Sequence, residues 1–375
     1  MTNSSQKIRT EKKSSSLLIL TLDFGGSATK GIYGKLDQNN PGLLVMEPEV
    51  LKVPFESVAS HSTDTLGTTE PENIAWVSYG HDTFAVGYLA KNNYYANAGL
   101  KELKYERAIA KTLAAVWAVS QKLRLGASFQ LALTCLLPPG ELENKESFLR
   151  QLQTALANYT TPTGIIRVEL VESKCLPEGA GIYLAYQKKV GEALKAKVIA
   201  LAMVGYRNAS VLISDKGRLE ANGKTSDLGM IRLLETVVAK TSGQTVSGLA
   251  PAIVAAGSDI SSTPFLRLLR STLNTNRHQE LQLLQKAVKL ARREYTAALT
   301  SWLDQVINRS LVDEILFCGG TADYLRKELN SHYPGTPCLW GVGADIPKQV
   351  DKFSLGSRLA DVYSVFLYFS QQVQK

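Results

Sequence analysis

The sequence predicts an α/β protein of two lobes built to one design around a cleft. Three observations carry this. Apolar strand-like runs alternate with stretches of helical periodicity along the chain. A module of strand, glycine turn and strand occurs at 17–35 and again at 197–214, about 180 residues later. The 375 residues, 45% hydrophobic, suffice for a large core and exceed one average domain.

Residues 17–22 form a continuous apolar run that reads as a buried strand. Asp23 and two glycines end it, and 30–35 reads as the returning strand of a hairpin. Polar sequence containing Pro and Gly then reaches Asn73. Residues 74–80 and 83–87 predict a second hairpin turning at Gly80, His81 and Asp82. Over 105–123, Ile109, Leu113, Val116, Trp117 and Leu123 share one helix face. A strand at 129–137 stops at Pro138 and Pro139. An amphipathic helix at 144–156, a strand at 165–171 and a helix opening at Pro177 follow. The second half begins with a strand at 197–204, a turn at Gly205 and a strand at 209–214. Beyond Asp227 the chain reads as mostly helical. Residues 279–307 have almost no Gly or Pro and are rich in helix formers, so they predict one long helix. A short strand at 315–317 and a helix at 322–329 flank Gly319 and Gly320.

Charged residues are 20% and aromatics 8%, which excludes a disordered or collagen-like chain. The net charge of +8 favours acidic partners: nucleic acid, an anionic membrane or an acidic protein. Part of it sits in residues 1–16, where Lys7, Arg9, Lys12 and Lys13 face only Glu11 among serines. This predicts a disordered basic tail. Cys135, Cys175, Cys318 and Cys338 show no CxxC spacing, and Cys135 and Cys318 lie in apolar runs. A cysteine-bound metal site or disulfide framework is not expected, in keeping with a cytoplasmic location. The apolar run after Ser16 is too short for a secretory leader, and the sequence predicts no transmembrane segment.

Four constellations carry chemistry. In the first, a buried strand delivers Asp23, and Gly25 and Gly26 let backbone N–H groups of the loop through Ser27, Ala28 and Thr29 face an anion. Lys30 on the returning strand aims its ammonium at the same place, and Asp23 suits a hydrated divalent metal. The second repeats the form with Gly205, Tyr206, Arg207 and Asn208. In the third, Gly319, Gly320, Thr321 and Ala322 join a strand to a helix N-terminus, where free N–H groups favour a phosphate and bare glycines admit a flat base. In the fourth, Glu178 opens a helix before small residues, positioned to polarise a water. Each has a plainer alternative: a glycine hairpin with a surface lysine, an arginine on a solvated turn, a threonine-capped turn, and a first-turn glutamate favouring the helix dipole.

The order of these four segments resembles that of the actin, sugar kinase and heat-shock-chaperone ATPase superfamily, and the details look most like the prokaryotic actin-like ParM family. The stretch from Asp82 to Ala90 is similar to that family's early "VG-x-x-A" segment, and Leu136, Leu137 and Pro138 to its "GLP" strand end. Thr225 to Met230 resembles the lead into the nucleotide-side helix of the second lobe. Phe353 to Gly356 resembles a weakened late "NA-x-G" hinge. The resemblance implies a two-lobed actin-like ATPase fold with duplicated ribonuclease-H-like subdomains around a nucleotide cleft, with lobes at 17–190 and 191–375.

By the same resemblance Asp23 and Glu178 would be catalytic, Asp23 holding Mg²⁺ through water. Gly25 to Lys30 and Gly205 to Asn208 would bind the phosphates. Ser226, Asp227 and Gly319 to Ala322 would bind adenosine. It further implies ATP and ADP as ligands and assembly with copies of itself into a filament. A DNA-binding adaptor of the ParR type would be the partner, with DNA contacted only indirectly. One departure stands out: the family's second phosphate loop begins with aspartate two residues before its glycine, where this chain has Met203. A thioether is a poor ligand for a hard cation, so hydrolysis is expected to be slow or altered. A small-molecule kinase of the same superfamily is the alternative.

Overall fold

The computed structural model describes residues 17–36, 40–60, 69–99, 102, 104–220 and 223–374; the expected basic tail at 1–16 lies outside the described residues. Strands β1 (Leu17–Phe24) and β2 (Thr29–Lys35) pair antiparallel with Phe24 opposite Thr29, leaving Gly25 to Ala28 as the loop. The stretch up to Asn73, which reads as a polar connection, contains β3 (Gly42–Met46), β4 (Val50–Lys52) and α1 (Phe55–Ala59). Its apolar residues come in short groups interrupted by Pro41, Pro48 and Pro54, so no period stands out.

The hairpin of β5 (Trp76–Tyr79) and β6 (Asp82–Val86) forms as predicted, turning at Gly80 and His81. Then come α2 (Tyr88–Tyr94), α3 (Lys104–Leu123), β7 (Ser128–Leu137), α4 (Lys145–Ala157), β8 (Tyr159–Thr161) and β9 (Gly164–Pro177). The strand expected to end at Val171 thus continues to Pro177. The next helix, α5 (Ala180–Val190), starts three residues later than its sequence signal. The first sheet has the order β3-β2-β1-β7-β9, extended by β8-β5-β6-β4.

The second half builds β10 (Val198–Val204), β11 (Ala209–Asp215), β12 (Arg218–Leu219) and β13 (Lys224–Ser226). Helices α6 (Met230–Lys240), α7 (Val246–Ala256) and α8 (Asn274–Val306) precede β14 (Glu314–Cys318). The single helix expected over 322–329 is two short ones, α9 (Gly320–Tyr324) and α10 (Arg326–His332), separated at Leu325. Strand β15 (Cys338–Trp340) and helix α11 (Ala360–Val373) complete the chain. The second sheet has the order β12-β11-β10-β14-β15, with β13 also on β11.

The two sheets repeat one plan. In each, the first strand pairs antiparallel with the second and parallel with a later strand, which pairs parallel with the last. A central strand covered on both faces must be apolar on both, which explains the unbroken run of β1. Leu18, Leu20, Leu22 and Phe24 face the core beneath α3 and α4, whereas Ile19 faces α11. In β10, Ala200, Ala202 and Val204 face the α6–α8 side, and Ile199 and Leu201 face α5.

The inner layer holds one helix from each half, crossed over. Helix α11, last in the chain, packs on β1, β2 and β7 of the first sheet, through Val362, Val365, Phe366 and Phe369. Helix α5, from the first half, packs on the second sheet through Ile182, Tyr183 and Tyr186. The two helices pack on each other. Packing therefore ties the lobes at a seam that no single cut in sequence separates. Among the described residues, no helix is long and apolar enough to cross a membrane.

Candidate functional site

The alternation that buries β1 and β10 also sets the direction of their last odd-numbered residues. Asp23 and Met203 lie on the inner faces of their sheets and line one cavity of about 600 Å³ between the lobes. The registers are equivalent: Asp23 stands opposite Lys30, and Met203 opposite Ser210. Each hairpin closes through a four-residue loop, Gly25 to Ala28 in one and Gly205 to Asn208 in the other.

Most residues singled out in the sequence meet in this cavity. Asp23, Gly25, Gly26, Ser27 and Lys30 line it from the first loop, and Gly205, Tyr206, Arg207 and Asn208 from the second. Gly319, Gly320 and Thr321 line it from the strand-to-helix turn, and Glu178 from the loop before α5. Ala28, Thr29, Ser226, Asp227 and Ala322 are not among the lining residues. Thr29 and Ala322 are buried beneath their turns, and Ser226 sits in β13, paired with Ala209. Glu178 is buried but lies ahead of the helix, since α5 begins at Ala180 after Gly179. Glu178 therefore precedes the helix instead of opening it or sitting in its first turn.

Side-chain contacts hold the loops in place. The Lys30 ammonium lies 2.5 Å from an Asp23 carboxylate oxygen and donates to the Arg358 carbonyl at 3.0 Å. The second loop is tied to the turn: Thr321 Oγ1 donates to the Gly205 carbonyl at 2.8 Å, and the Met230 amide donates to the same oxygen at 3.1 Å. Gly319 has φ +96, and a Cβ there would lie 2.4 Å from the Val204 carbonyl oxygen. Only glycine lets β14 turn into α9 this close to β10.

Arg207 does not point freely into the cavity. Its Nη1 pairs with Glu141 Oε1 at 3.1 Å, reaching the turn after β7 in the first lobe. On the remaining wall, Asp361 of α11 accepts from the Gly179 and Gly181 amides at 2.7 Å each, the residues flanking and following Glu178. Burial pushes the Asp361 carboxyl up to about 7, against the opposing pull of these amides, and the nearby charges of Asp23 and Glu178 add to the rise.

Sequence reasoning missed several lining residues. Arg358 and Asp361 come from the segment into α11, which returns to the first lobe only in three dimensions. Ala250, Pro251, Val254 and Ala255 of α7, with Met230, supply an apolar wall, and Val254 is 58% exposed there. An apolar helix residue left open to solvent on a cleft is visible only once the fold is known.

Two such duplicated sheets, with helices crossed between them and loops converging on one cleft, define the actin-like ATPase fold. No protein-family model matches the chain, and no curated protein matches it. Among solved structures, it is similar to the actin-like protein Alp7A (TM-score 0.66, 14% identity, 96% of this chain and 97% of that one). It is also similar to a ParM in a 15-stranded filament from Clostridium botulinum (TM-score 0.60, 14% identity, 95% and 99%). A third is Bacillus thuringiensis ParM with ATP (TM-score 0.58, 11% identity, 96% and 100%). The likeness spans nearly the whole chain, as the sequence resemblance to ParM implies.

Proposed function

We propose that this chain is an ATP-binding actin-like protein that assembles with copies of itself into cytomotive or cytoskeletal filaments, as in plasmid or DNA segregation. The observation that carries the reading is the convergence of two glycine loops and a Gly-Gly turn on one cavity with Asp23, Lys30 and Glu178. Backbone N–H groups of the loops at Gly25 to Lys30 and Gly205 to Asn208 suit the phosphates. The turn at Gly319 to Thr321 and the apolar wall of α7 suit the nucleoside. Similar structures that are filaments, or that hold ATP, support the same reading.

A Mg²⁺ ion binds through one or two carboxylates and phosphate oxygens rather than an all-protein cage. Asp23 lines the cavity, and its carboxylate, already engaged by the Lys30 ammonium, would meet such an ion through water rather than directly. The ion would neutralise phosphate charge, and Glu178 would orient a water. With Met203 in place of a second-loop carboxylate, hydrolysis is slowed and the filament persists longer. An adaptor of the ParR type in the cytoplasm fits the +8 charge, which favours an acidic partner segment.

Pelleting and electron microscopy with ATP, ADP and a non-hydrolysable analogue test the reading. Filaments with ATP and with the analogue are expected. Absence of any assembly, with ATP consumed only when a small-molecule acceptor is added, points instead to a kinase.

A further inference from the structure

Three cationic side chains line the cleft, and two are already committed to carboxylates. Lys30 pairs with Asp23 at 2.5 Å, and Arg207 pairs with Glu141 at 3.1 Å. Among the described lining residues, Arg358 is the cation with no carboxylate partner.

Its place is fixed from several sides. The preceding residue, Ser357, donates to Asp323 of α9 at 2.5 Å, and the Arg358 amide donates to the Leu355 carbonyl at 3.2 Å. The Arg358 carbonyl accepts from Lys30. Its stem runs along the Gly-Gly turn, with Cγ and Cδ 3.6 Å from where a Cβ on Gly320 would stand. Its Nη2 lies 3.4 Å from Ser27 Oγ on the first loop. One side chain thus spans from the second lobe's turn to the first lobe's loop.

We infer that Arg358 is the phosphate clamp of this cleft, its guanidinium taking the phosphate chain of a nucleotide between Ser27 and Gly320. This rests on the nucleotide reading of the cleft and assigns its main anion-binding side chain. The chemistry favours it over Lys30. A guanidinium is always charged and presents a planar fork that engages two phosphate oxygens at once. The Lys30 ammonium is offset by the Asp23 carboxylate beside it, so the pair adds little net positive charge. Arg358 adds a full one, at the loop whose backbone N–H groups already suit an anion.

Calorimetric titration of wild type, Arg358→Ala and Arg358→Lys with ATP, ADP and adenosine tests this. Arg358→Ala is expected to weaken ATP and ADP roughly 10- to 100-fold, the scale of a lost charge-assisted contact. Adenosine, which carries no phosphate for the guanidinium to engage, loses far less than ATP or ADP, and its retained binding doubles as a check on folding. Arg358→Lys recovers part of the loss, keeping the charge without the fork. Unchanged ATP affinity in Arg358→Ala, or an equal loss for adenosine in both variants, overturns the assignment and leaves the nucleotide reading standing. A wild-type protein that binds none of the three ligands overturns both.

Discussion

Arg207 and Glu141 meet across the cleft, guanidinium Nη1 to carboxylate Oε1 at 3.1 Å. One sits on the second loop and the other on the turn after β7, so the pair joins a loop of one lobe to the rim of the other. Their side chains are only 12% and 7% exposed. Removing one partner of a pair this buried strands the other charge, at a cost of about 3 kcal/mol or more. Glu141→Ala is therefore expected to lower the nucleotide-free melting temperature, and Glu141→Gln, which keeps an acceptor, to lower it less. Calorimetry reads both. A Glu141→Ala protein melting with wild type would mean the pair contributes nothing to holding the lobes.

Gly181 marks the point where α5 crosses α11. A Cβ there would lie 2.1 Å from the Asp361 carbonyl oxygen, a backbone atom. Neither helix can easily retreat, because the Asp361 carboxylate holds the Gly179 and Gly181 amides at 2.7 Å. Overpacking a tight crossing costs about 1–3 kcal/mol, and a backbone obstacle puts this case at the upper end. Gly181→Ala should shift the urea midpoint clearly downward. An unchanged midpoint would contradict the closeness of the crossing.

Much of the fold was legible because its signals are local. The apolar run of β1 ending in Asp23, its echo in β10 and the paired glycines at 319 and 320 each mark a strand end, and strand ends gather at the cleft. The rest depends on contacts distant in sequence. Asp361 and Gly179 touch across 182 positions, and Arg358 and Ser27 across 331. Nothing in the spacing of either segment announces its partner. The strands β3 and β4 were hidden for another reason: three prolines cut their apolar residues into groups too short for periodicity. Ser226 and Asp227 were placed at the nucleoside by likeness of sequence, while β13 draws Ser226 into pairing with β11.

Asp361 makes stability depend on pH in an unusual direction. Its carboxyl stands at about 7 in the folded chain against an ordinary 3.8, raised first by burial. Below about pH 4 the group is neutral in both folded and unfolded chains, and the contribution is fully present. As pH rises towards 7 the unfolded chain releases the proton while the folded chain keeps it, so stability is lost across that window. The loss is on the order of a few kcal/mol. Asp361→Asn cannot titrate. The difference in unfolding free energy between wild type and Asp361→Asn should therefore fall from pH 4 to pH 7 and level off above. A flat difference would show the carboxyl ionised throughout.

Met203 is the clearest break in the internal symmetry. It occupies on β10 the register that Asp23 occupies on β1, and both line the cavity. A thioether offers nothing to a hard cation or its waters, whereas a carboxylate at this point would face the cavity from the second lobe as Asp23 does from the first. Phosphoryl transfer depends on positioning and charge stabilisation, so one added oxygen ligand is expected to matter. Met203→Asp should raise steady-state phosphate release roughly tenfold or more, a scale typical of one electrostatic group in a reaction site. On the proposed function, in which hydrolysis leads to disassembly, filaments of the variant should shorten in lifetime by a comparable factor under light scattering. If wild type releases phosphate as fast as the variant or faster, Met203 is not what limits the chemistry.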